Sequence, residues 1–163
     1  MDFLKVQGVS ALGSRLRRVL DRLDRDLAAI YRAAGMEFEP RWHPVFVVLR
    51  DEGPMSVGAL AKRLGVTHAA VSQVRAAMEA RGLVSAAPDP ADGRSQRLSL
   101  TPRGRAMGEQ LQPLWTAVAA AATQLLAEGA QALMADLDGL DRALDRSGLK
   151  ARVDHLVKLE PQS

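Results

Sequence analysis

The sequence predicts a mainly α-helical fold that includes one short β-hairpin. The 163 residues contain 27 Ala and 23 Leu but only one Ile and 14 Val, and this composition favours helix over sheet. Apolar residues recur at steps of three and four along most of the chain, as they do on one face of a helix. Two short apolar segments instead flank a loop rich in proline and glycine, which predicts the hairpin.

The composition also excludes several classes of site. The chain has no Cys, so disulfide bonds, Cys-ligated zinc, a thiol nucleophile and a thiol redox switch are excluded. Charged residues interrupt every apolar run near the start, unlike in a signal peptide. No segment approaches the run of about 18 apolar residues that a membrane span needs. We therefore expect a soluble cytoplasmic protein.

The first element is a long amphipathic helix, predicted for residues 9–34 and ended by Gly35. Its apolar residues follow the spacing of a coiled-coil seam: Val9, Leu12, Leu16, Val19, Leu23, Leu27 and Ile30. The opposite face carries arginines and aspartates. A continuous seam of this length needs a partner helix.

A connector with two prolines follows at residues 36–44, and an apolar segment comes next at residues 44–53. Periodicity alone allows either a helix or a strand for this apolar segment. We favour a helix because further helical segments follow immediately.

Two short helices joined by a tight turn come next. Ser56 is a candidate N-cap for a helix that Gly65 ends, and Thr67 caps a second helix that Gly82 ends. The three-residue connector, 65–67, has the length that a helix-turn-helix uses. Small and apolar residues stand where the two helices must pack: Leu60, Ala61, Leu64, Gly65, Val66, Val71 and Val74. The alternative is an ordinary helical hairpin.

The rest of the chain is predicted as a hairpin followed by helices. Residues 83–87 and 96–100 form its two strands, and Thr101 caps a helix that continues to about residue 127. Pro113 lies inside this helix and should bend it or divide it. Two more helices are predicted, one marked by Leu133, Leu137, Leu140 and Leu144 that ends near Gly148, and one over residues 149–158.

The net charge of +3 is distributed unevenly along the chain. Residues 1–55 carry +1, residues 56–105 carry +5 and residues 106–163 carry −3. The positive segment coincides with the helix-turn-helix and the hairpin, and a localised basic patch is typical of a protein that binds a polyanion. Charge alone leaves an ordinary solvated surface as the alternative.

The second helix of the motif has an outer face suited to the major groove of DNA. A projection at about 100° per residue turns Val71, Val74 and Met78 inward. The outward residues are small or form hydrogen bonds: His68, Ala69, Ser72, Gln73 and Ala76. Gln73 can pair with adenine through two hydrogen bonds, and alanine can contact a thymine methyl group. A face that merely tolerates solvent is the alternative.

The hairpin supplies candidate contacts to the minor groove and to phosphates. Arg94 at its tip can enter a narrow minor groove, where the negative potential is enhanced, and Asp92 can orient the guanidinium. Arg97, in the second predicted strand, is the third residue predicted to contact DNA from the hairpin. Contacts to phosphates, which position a protein without reading sequence, are predicted for Thr67, Arg75 and Arg103.

These features together resemble the signature of the multiple-antibiotic-resistance regulator (MarR) family. The resemblance rests on residues 92–104, which read Asp-x-Arg-Ser-x-x-Leu-Ser-Leu-Thr-x-x-Gly, and on residues 79–84, which read Glu-Ala-Arg-Gly-Leu-Val. Its specific part covers residues 53–104, and the order of the helices extends it loosely over nearly the whole chain. Residues 12–48 are also similar to the regulator halves of MarR–acetyltransferase fusions. The given chain contains no acetyltransferase segment, so no such activity is implied.

The resemblance implies a winged helix-turn-helix transcription factor. It implies a homodimeric repressor that binds a pseudo-palindromic operator and is often released by a small ligand. The expected organisation is one domain over residues 1–163, with dimerisation helices at 9–34 and 106–158 and a DNA-binding lobe at 44–105. Dimerisation through both ends agrees with the two leucine stripes that lack partners. Arg75 departs from the aliphatic residue usual in the family.

The resemblance also implies a candidate ligand cleft. Family members often bind aromatic or phenolic compounds between the dimerisation helices and the DNA-binding lobe. Tyr31, Arg41, Trp42 and His43 stand where the first helix joins that lobe and are the candidate cleft residues. We favour the alternative that Tyr31 and Trp42 simply pack at this junction.

No arrangement of residues indicates catalysis or a bound metal. His43, His68 and His155 are scattered along the sequence, and no nucleophile-elbow, phosphate-loop or dinucleotide motif occurs. We therefore expect no enzyme activity, no cofactor and no metal site. The alternative for a metal is a site assembled across the dimer, with His43 as the first candidate ligand. The alternative function is a winged-helix module that binds other proteins and has no operator of its own. That alternative predicts an apolar outer face on the second helix of the motif.

Overall fold

A computed structural model of the protein describes residues 2–88 and 96–159. Its helices and strands are, in chain order, α1 (Phe3–Val6), α2 (Leu12–Ala33), α3 (His43–Asp51), β1 (Met55–Ser56), α4 (Val57–Leu64), α5 (His68–Ala80), β2 (Val84–Pro88), β3 (Gln96–Leu100), α6 (Pro102–Gly129), α7 (Leu133–Arg146) and α8 (Leu149–Leu159). The mainly α-helical prediction is confirmed. Within these two ranges no helix is long and apolar enough to cross a membrane.

The chain divides into two compact units within α6, between Glu109 and Gln110. The first unit contains α1 to α5 and the sheet, and the second contains most of α6 together with α7 and α8. Pro113 does not divide α6, which is assigned as one helix. The predicted start of α2 is three residues early, because a 3₁₀ turn at Gly8–Ala11 precedes it and Gly8 has a φ of 57°.

An aromatic cluster connects the end of α2 to α3. Phe38 lies at its centre, with ring centroids 5.2 Å from Tyr31 and 5.6 Å from both Trp42 and Phe46. All three pairs meet edge to face, the arrangement that aromatic quadrupoles favour. All four rings are buried. Most of the predicted segment 44–53 is helical, in α3, and Phe46 with its apolar neighbours packs into this core.

The sheet has three antiparallel strands in the order β1-β3-β2. The predicted hairpin is present, with Val84 opposite Leu100 and Pro88 opposite Gln96. The strand β1 was not predicted, and it adds only two residue pairs to the outer edge of β3. Two residues are too few to show the period-two alternation by which a strand is recognised.

The first turn of α6 packs closely against the chain that precedes β2. The Thr101 hydroxyl accepts from the Gly104 amide (3.0 Å) and donates to the Gly82 carbonyl (2.6 Å). A Cβ on Gly104 would lie 2.1 Å from the Leu83 carbonyl oxygen, a distance that the fold cannot accommodate. Glycine at this position therefore permits the close packing between the start of α6 and the end of the helix-turn-helix.

Candidate nucleic-acid interface

Local capping positions the two helices of the predicted helix-turn-helix. The Ser56 hydroxyl accepts from the Ala59 amide and the Thr67 hydroxyl accepts from the Ala70 amide, each at 3.2 Å. Gly65 ends α4 in the left-handed conformation, with a φ of 66°. The predicted caps and turn are therefore confirmed, and they fix where α5 begins.

The inner and outer faces of α5 agree with the helical projection. Val71, Val74 and Met78 are buried. Ala69, Gln73 and Ala76 are exposed, as is His68 at the first turn. The helix thus combines a fixed inner face with an outer face of small and hydrogen-bonding residues.

Ser72 differs from the other residues of the predicted outer face. It is half-buried, and its hydroxyl lies 3.3 Å from Nδ1 of His68. The serine hydroxyl and the imidazole therefore form a local pair one turn apart on α5. Any ligand of this face meets the two side chains together.

Val66 is predicted to pack between α4 and α5, and this prediction is wrong. Its side chain is 47% exposed because it lies in the turn between the two helices, at the rim of a surface groove. The groove has a volume of about 300 Å³ and lies between the start of α3, the end of α4 and α5. Its lining is mostly apolar: Arg41, Pro44, Val45, Leu64, Val66, Ala70, Val71, Gln73 and Val74. Sequence periodicity does not reveal this groove, since its residues come from three separate segments.

Two of the predicted wing residues, Asp92 and Arg94, lie outside the described residues. The third, Arg97 on β3, donates from Nε (3.2 Å) and Nη2 (2.5 Å) to the carbonyl of Pro54. Because Pro54 immediately precedes β1, these bonds reinforce the β1–β3 edge of the sheet. The guanidinium of Arg97 thus has a structural partner in the chain just before β1.

The three predicted phosphate contacts have different surroundings. Thr67 is exposed, with its hydroxyl engaged as the cap of α5. Arg103 is exposed, and its side chain forms no hydrogen bond or ion pair in the part of the chain that the structure describes. Arg75 is half-buried, and its guanidinium bonds both Glu79 on α5 and Gln96 on β3. Of the two arginines in this set, only Arg103 has no side-chain partner among the described residues.

Several other basic residues of the +5 segment are paired within the protein. Arg63 contacts Glu52 at 2.9 Å, and Arg81 contacts Glu37 at 2.9 Å. Arg105 donates to the Leu100 carbonyl. Both glutamates precede the segment in sequence, so charge counting along the chain overstates the positive charge that the lobe presents.

The predicted ligand-cleft residues have different surroundings in the described part of the chain. Tyr31 and Trp42 are buried in the aromatic cluster, as the packing alternative predicts, because their rings pack edge to face on Phe38. Arg41 lines the groove beside α5 and also donates from Nε to Glu39 at 2.7 Å. The indole Nε1 of Trp42 is buried and has no acceptor among the described residues.

His43 is half-buried at the start of α3. Burial lowers the pKa of His43 below its ordinary value, and the Arg50 guanidinium lowers this pKa further. The imidazole is therefore neutral near pH 7. Among residues 2–88 and 96–159, no group of three or more His, Asp or Glu side chains is arranged to hold a metal ion.

Comparisons with known proteins agree with this fold. A family model described as the MarR family matches residues 35–95. A probable transcriptional regulator from Pseudomonas aeruginosa is 29% identical, with 82% of this chain and 96% of that chain covered and a TM-score of 0.59. A comparison with curated protein sequences finds no match.

Two further solved structures are similar to this chain. The transcriptional repressor CouR, bound to a 23-mer DNA duplex, is 26% identical, with 80% of this chain and 92% of that chain covered and a TM-score of 0.65. BpsR from Bordetella bronchiseptica, whose DNA binding is regulated by 6-hydroxynicotinic acid, is 27% identical, with 76% and 92% covered and a TM-score of 0.57. The helix-turn-helix and the hairpin together form a winged-helix fold similar to that of these transcriptional regulators, and residues 35–95 match the MarR-family model.

Proposed function

We propose that the protein is a homodimeric cytoplasmic repressor that binds a pseudo-palindromic DNA operator. The observation that carries this proposal is the exposed outer face of α5, which is small and hydrogen-bonding above a fully packed inner face. A rigid helix with such a face can enter a major groove without a steric barrier. The alternative of a protein-binding module requires an apolar outer face, and Ala69, Gln73 and Ala76 do not form one.

Each part of the lobe has a distinct role in this proposal. Gln73 reads a base through its amide, Ala69 and Ala76 contact thymine methyl groups, and the His68–Ser72 pair meets a base or a phosphate. Arg103 and the first turn of α5 at Thr67 contact phosphates. A contact of Arg94 with the neighbouring minor groove is the remaining part of the proposal.

Exposed apolar stripes support the homodimer. Leu12, Leu16 and Val19 on α2 are all about half exposed, on the seam that the sequence predicts. The second unit exposes its own stripe on α7: Leu133, Leu137, Leu140 and Leu144. Monomeric proteins rarely leave contiguous apolar surfaces of this kind in water. A second copy that covers them would place two α5 helices on half-sites about one DNA turn apart.

A small-molecule effector is a second element of the proposal. The groove beside α5 brings apolar side chains of α3 and α4 next to Gln73, with Arg41 at its rim. An anionic aromatic molecule fits this lining, because its ring would cover the valines while its carboxylate accepts from the Arg41 nitrogens other than Nε, which donates to Glu39. Such a ligand would occupy the space beside Gln73 and so oppose base reading. The effector proposed for this chain resembles the acid that regulates BpsR only in chemical class.

Selection of bound sequences from a random DNA library tests the main proposal. We expect the protein to enrich an inverted repeat and to bind it with an affinity that falls steeply with salt. Gln73→Ala should relax the preference at one position by about 1–3 kcal/mol, whereas Gln110→Ala on the exposed part of α6 should change nothing. Failure to enrich any sequence, with no salt dependence, would contradict the proposal and favour the protein-binding module.

The effector is tested on the enriched DNA with 6-hydroxynicotinate and benzoate as probes. We expect at least one of these acids to weaken DNA binding, and Arg41→Ala to remove that effect. Arg32→Ala on α2 is the matched control, since it removes a guanidinium outside the groove. No response to either acid, or the same response in Arg41→Ala, would contradict the placement of the effector in this groove.

A further inference from the structure

Arg75 on α5 makes a contact that links two functional parts of the lobe. Its Nε donates to Oε1 of Glu79 at 3.1 Å, one turn along the same helix. Its Nη2 donates to Oε1 of Gln96 at 3.0 Å. Gln96 is the first residue of β3 and pairs with Pro88, the last residue of β2. One planar guanidinium thus bridges α5 to the loop-proximal end of the hairpin strands.

The electrostatic setting of Arg75 is unlike that of a phosphate ligand. Glu79 neutralises its charge at ion-pair distance, and the two side chains are only 29% and 32% exposed. Counterion release from DNA requires a net positive group, which this pair does not provide. Arg103, by contrast, has no partner for its side chain among the described residues. The two arginines therefore differ in kind, although sequence reasoning groups them together.

The hydrogen bond to Arg75 also fixes the orientation of the Gln96 amide group. Because Oε1 accepts from Arg75, the amide nitrogen Nε2 is the end left with hydrogens to donate. A free glutamine at the end of a strand would sample many rotamers, and fixing it costs side-chain entropy that the bond to Arg75 offsets. The guanidinium can hold two acceptors at once because its donors are fixed in one plane. A lysine in its place has no such geometry.

We propose that Arg75 is a positioning residue that holds the hairpin at a set angle to the recognition helix. This inference deepens the proposed function and rests on it for its effect on DNA. Major-groove reading by α5 and minor-groove contact by the hairpin then depend on one another, because both elements are held by the same side chain. Substitution of Arg75 and substitution of Gln96 remove the same hydrogen bond, so the effects of the two substitutions are not additive.

The first test measures the bridge without DNA. Because the chain contains no Cys, nitroxide labels attach only at introduced positions, here Ala80→Cys at the end of α5 and Ala87→Cys on β2. Both positions are exposed. Labelled protein is diluted with an excess of unlabelled protein so that only pairs within one chain are measured. We expect Arg75→Leu, Arg75→Lys and Gln96→Ala each to broaden the distance distribution, and the double variant Arg75→Leu/Gln96→Ala to broaden it no further.

The control for this measurement is Arg63→Leu. It removes an arginine on α4 that forms an ion pair with Glu52, and no hairpin residue takes part in that pair. Its distance distribution should match that of the unsubstituted protein. Unchanged distributions in all Arg75 and Gln96 variants would overturn the inference, whatever the DNA results. Gln96→Ala changes an exposed side chain, so this arm does not depend on the fold tolerating a change at Arg75.

The second test uses the DNA that the protein itself selects. We expect Arg75→Leu and Gln96→Ala each to weaken binding about fivefold, and the double variant also about fivefold rather than about 25-fold, since coupled residues are not additive. The slope of affinity against salt should stay unchanged in Arg75→Leu, whereas Arg103→Ala should reduce it by about 0.9, the value for one phosphate. A reduced slope in Arg75→Leu that Arg75→Lys restores would make Arg75 a phosphate ligand and overturn the inference. If the unsubstituted protein selects no DNA, the proposed function fails, and the distance measurement still decides the bridge.

Discussion

The helices α5 and α2 are both amphipathic, yet only α5 buries its apolar face within the chain. Val71, Val74 and Met78 of α5 contact the core of the lobe and are almost inaccessible. Leu12, Leu16 and Val19 of α2 are 51%, 45% and 51% exposed. The two helices also begin differently, since Thr67 caps α5 while Ala11 gives α2 no side-chain cap.

The same amphipathic sequence pattern therefore has two structural outcomes, a face buried within the chain and a face left exposed. A period near 3.6 predicts a helix with one apolar face, but it does not say where the partner of that face lies. The partner of α5 is in the same chain, within a lobe closed by α3, α4 and the sheet. The exposed face of α2 is the surface that the proposed dimer would cover. Substitutions in the two regions should therefore have different readouts.

The largest expected effect is in the closed lobe, from Gly104→Ala. The added Cβ would collide with the Leu83 carbonyl oxygen, so the start of α6 and the chain before β2 must move apart. We expect the free energy of unfolding to fall by about 2 kcal/mol or more, as for overpacked cores. Urea denaturation followed by circular dichroism measures this change.

Gly58→Ala in α4 is the matched control. A Cβ on Gly58 would meet no atom within 4 Å, and its backbone is helical. The substitution should stabilise the protein by about 0.5–1 kcal/mol, because alanine loses less backbone entropy than glycine in a helix. Equal destabilisation by both variants would show that the tight approach at Gly104 has no special role.

The second effect concerns the open face, from Leu16→Glu. A charge on the exposed stripe of α2 should weaken self-association by about tenfold or more, the value of one buried leucine. The helix content should be unchanged at low concentration, because Leu16 contributes little to the lobe's own core. Sedimentation equilibrium measures the association. Val66→Glu, a charge at an exposed apolar position of the lobe, should leave association intact, and a dimer unaffected by Leu16→Glu would contradict the proposed use of this face.

A smaller effect is expected from Thr67→Ala, which tests local capping of α5. Loss of the bond between the Thr67 hydroxyl and the Ala70 amide should cost about 1 kcal/mol of stability. Thr67→Ser should retain most of it, because serine supplies the same acceptor. Thermal unfolding compares the two variants. If both variants lost stability equally, packing of the threonine methyl group would be responsible instead of the cap.

The smallest effect is a pH dependence from His43, whose burial distinguishes α3 from the exposed helices. Its pKa in the folded protein is below the ordinary 6.5, so the unfolded chain takes up a proton first as the pH falls. Stability should therefore decrease as the pH falls through 6.5, until the folded protein is protonated as well. Denaturation curves between pH 7.5 and about pH 5 measure it. His43→Gln should flatten this dependence, and an unchanged dependence in this variant would contradict the assignment to His43.

The parts of the fold that depend on local chemistry could be predicted from the sequence. Caps at Ser56 and Thr67, and the left-handed turn at Gly65, follow from the preferences of single residues. The strands of the hairpin flank a loop of prolines and glycine, and helix periods are visible over several turns. The inner and outer faces of α5 were predicted for the same reason.

The features that the sequence did not reveal depend on contacts between distant segments. The strand β1 exists because two residues pair with β3, far along the chain. Arg97 and Arg75 are engaged by Pro54 and Gln96, and no local signal distinguishes them from free cations such as Arg103. Tyr31 and Trp42 could line a cleft or fill a core on sequence grounds, and Phe38 decides this by packing between them.

The internal pairing of arginines has a consequence for how the protein would search a genome. Arg63, Arg75 and Arg81 are each neutralised by a glutamate, so the described lobe presents fewer free cations than its sequence contains. Binding to arbitrary DNA depends almost entirely on such cations. The proposed regulator should therefore dissociate quickly from other sites, and its occupancy of the proposed operator should depend more on shape and hydrogen bonds. A chromosome contains many competing non-specific sites. Occupancy of the operator therefore depends on the ratio of specific to non-specific affinity, and a lower non-specific affinity raises it as a higher specific affinity does.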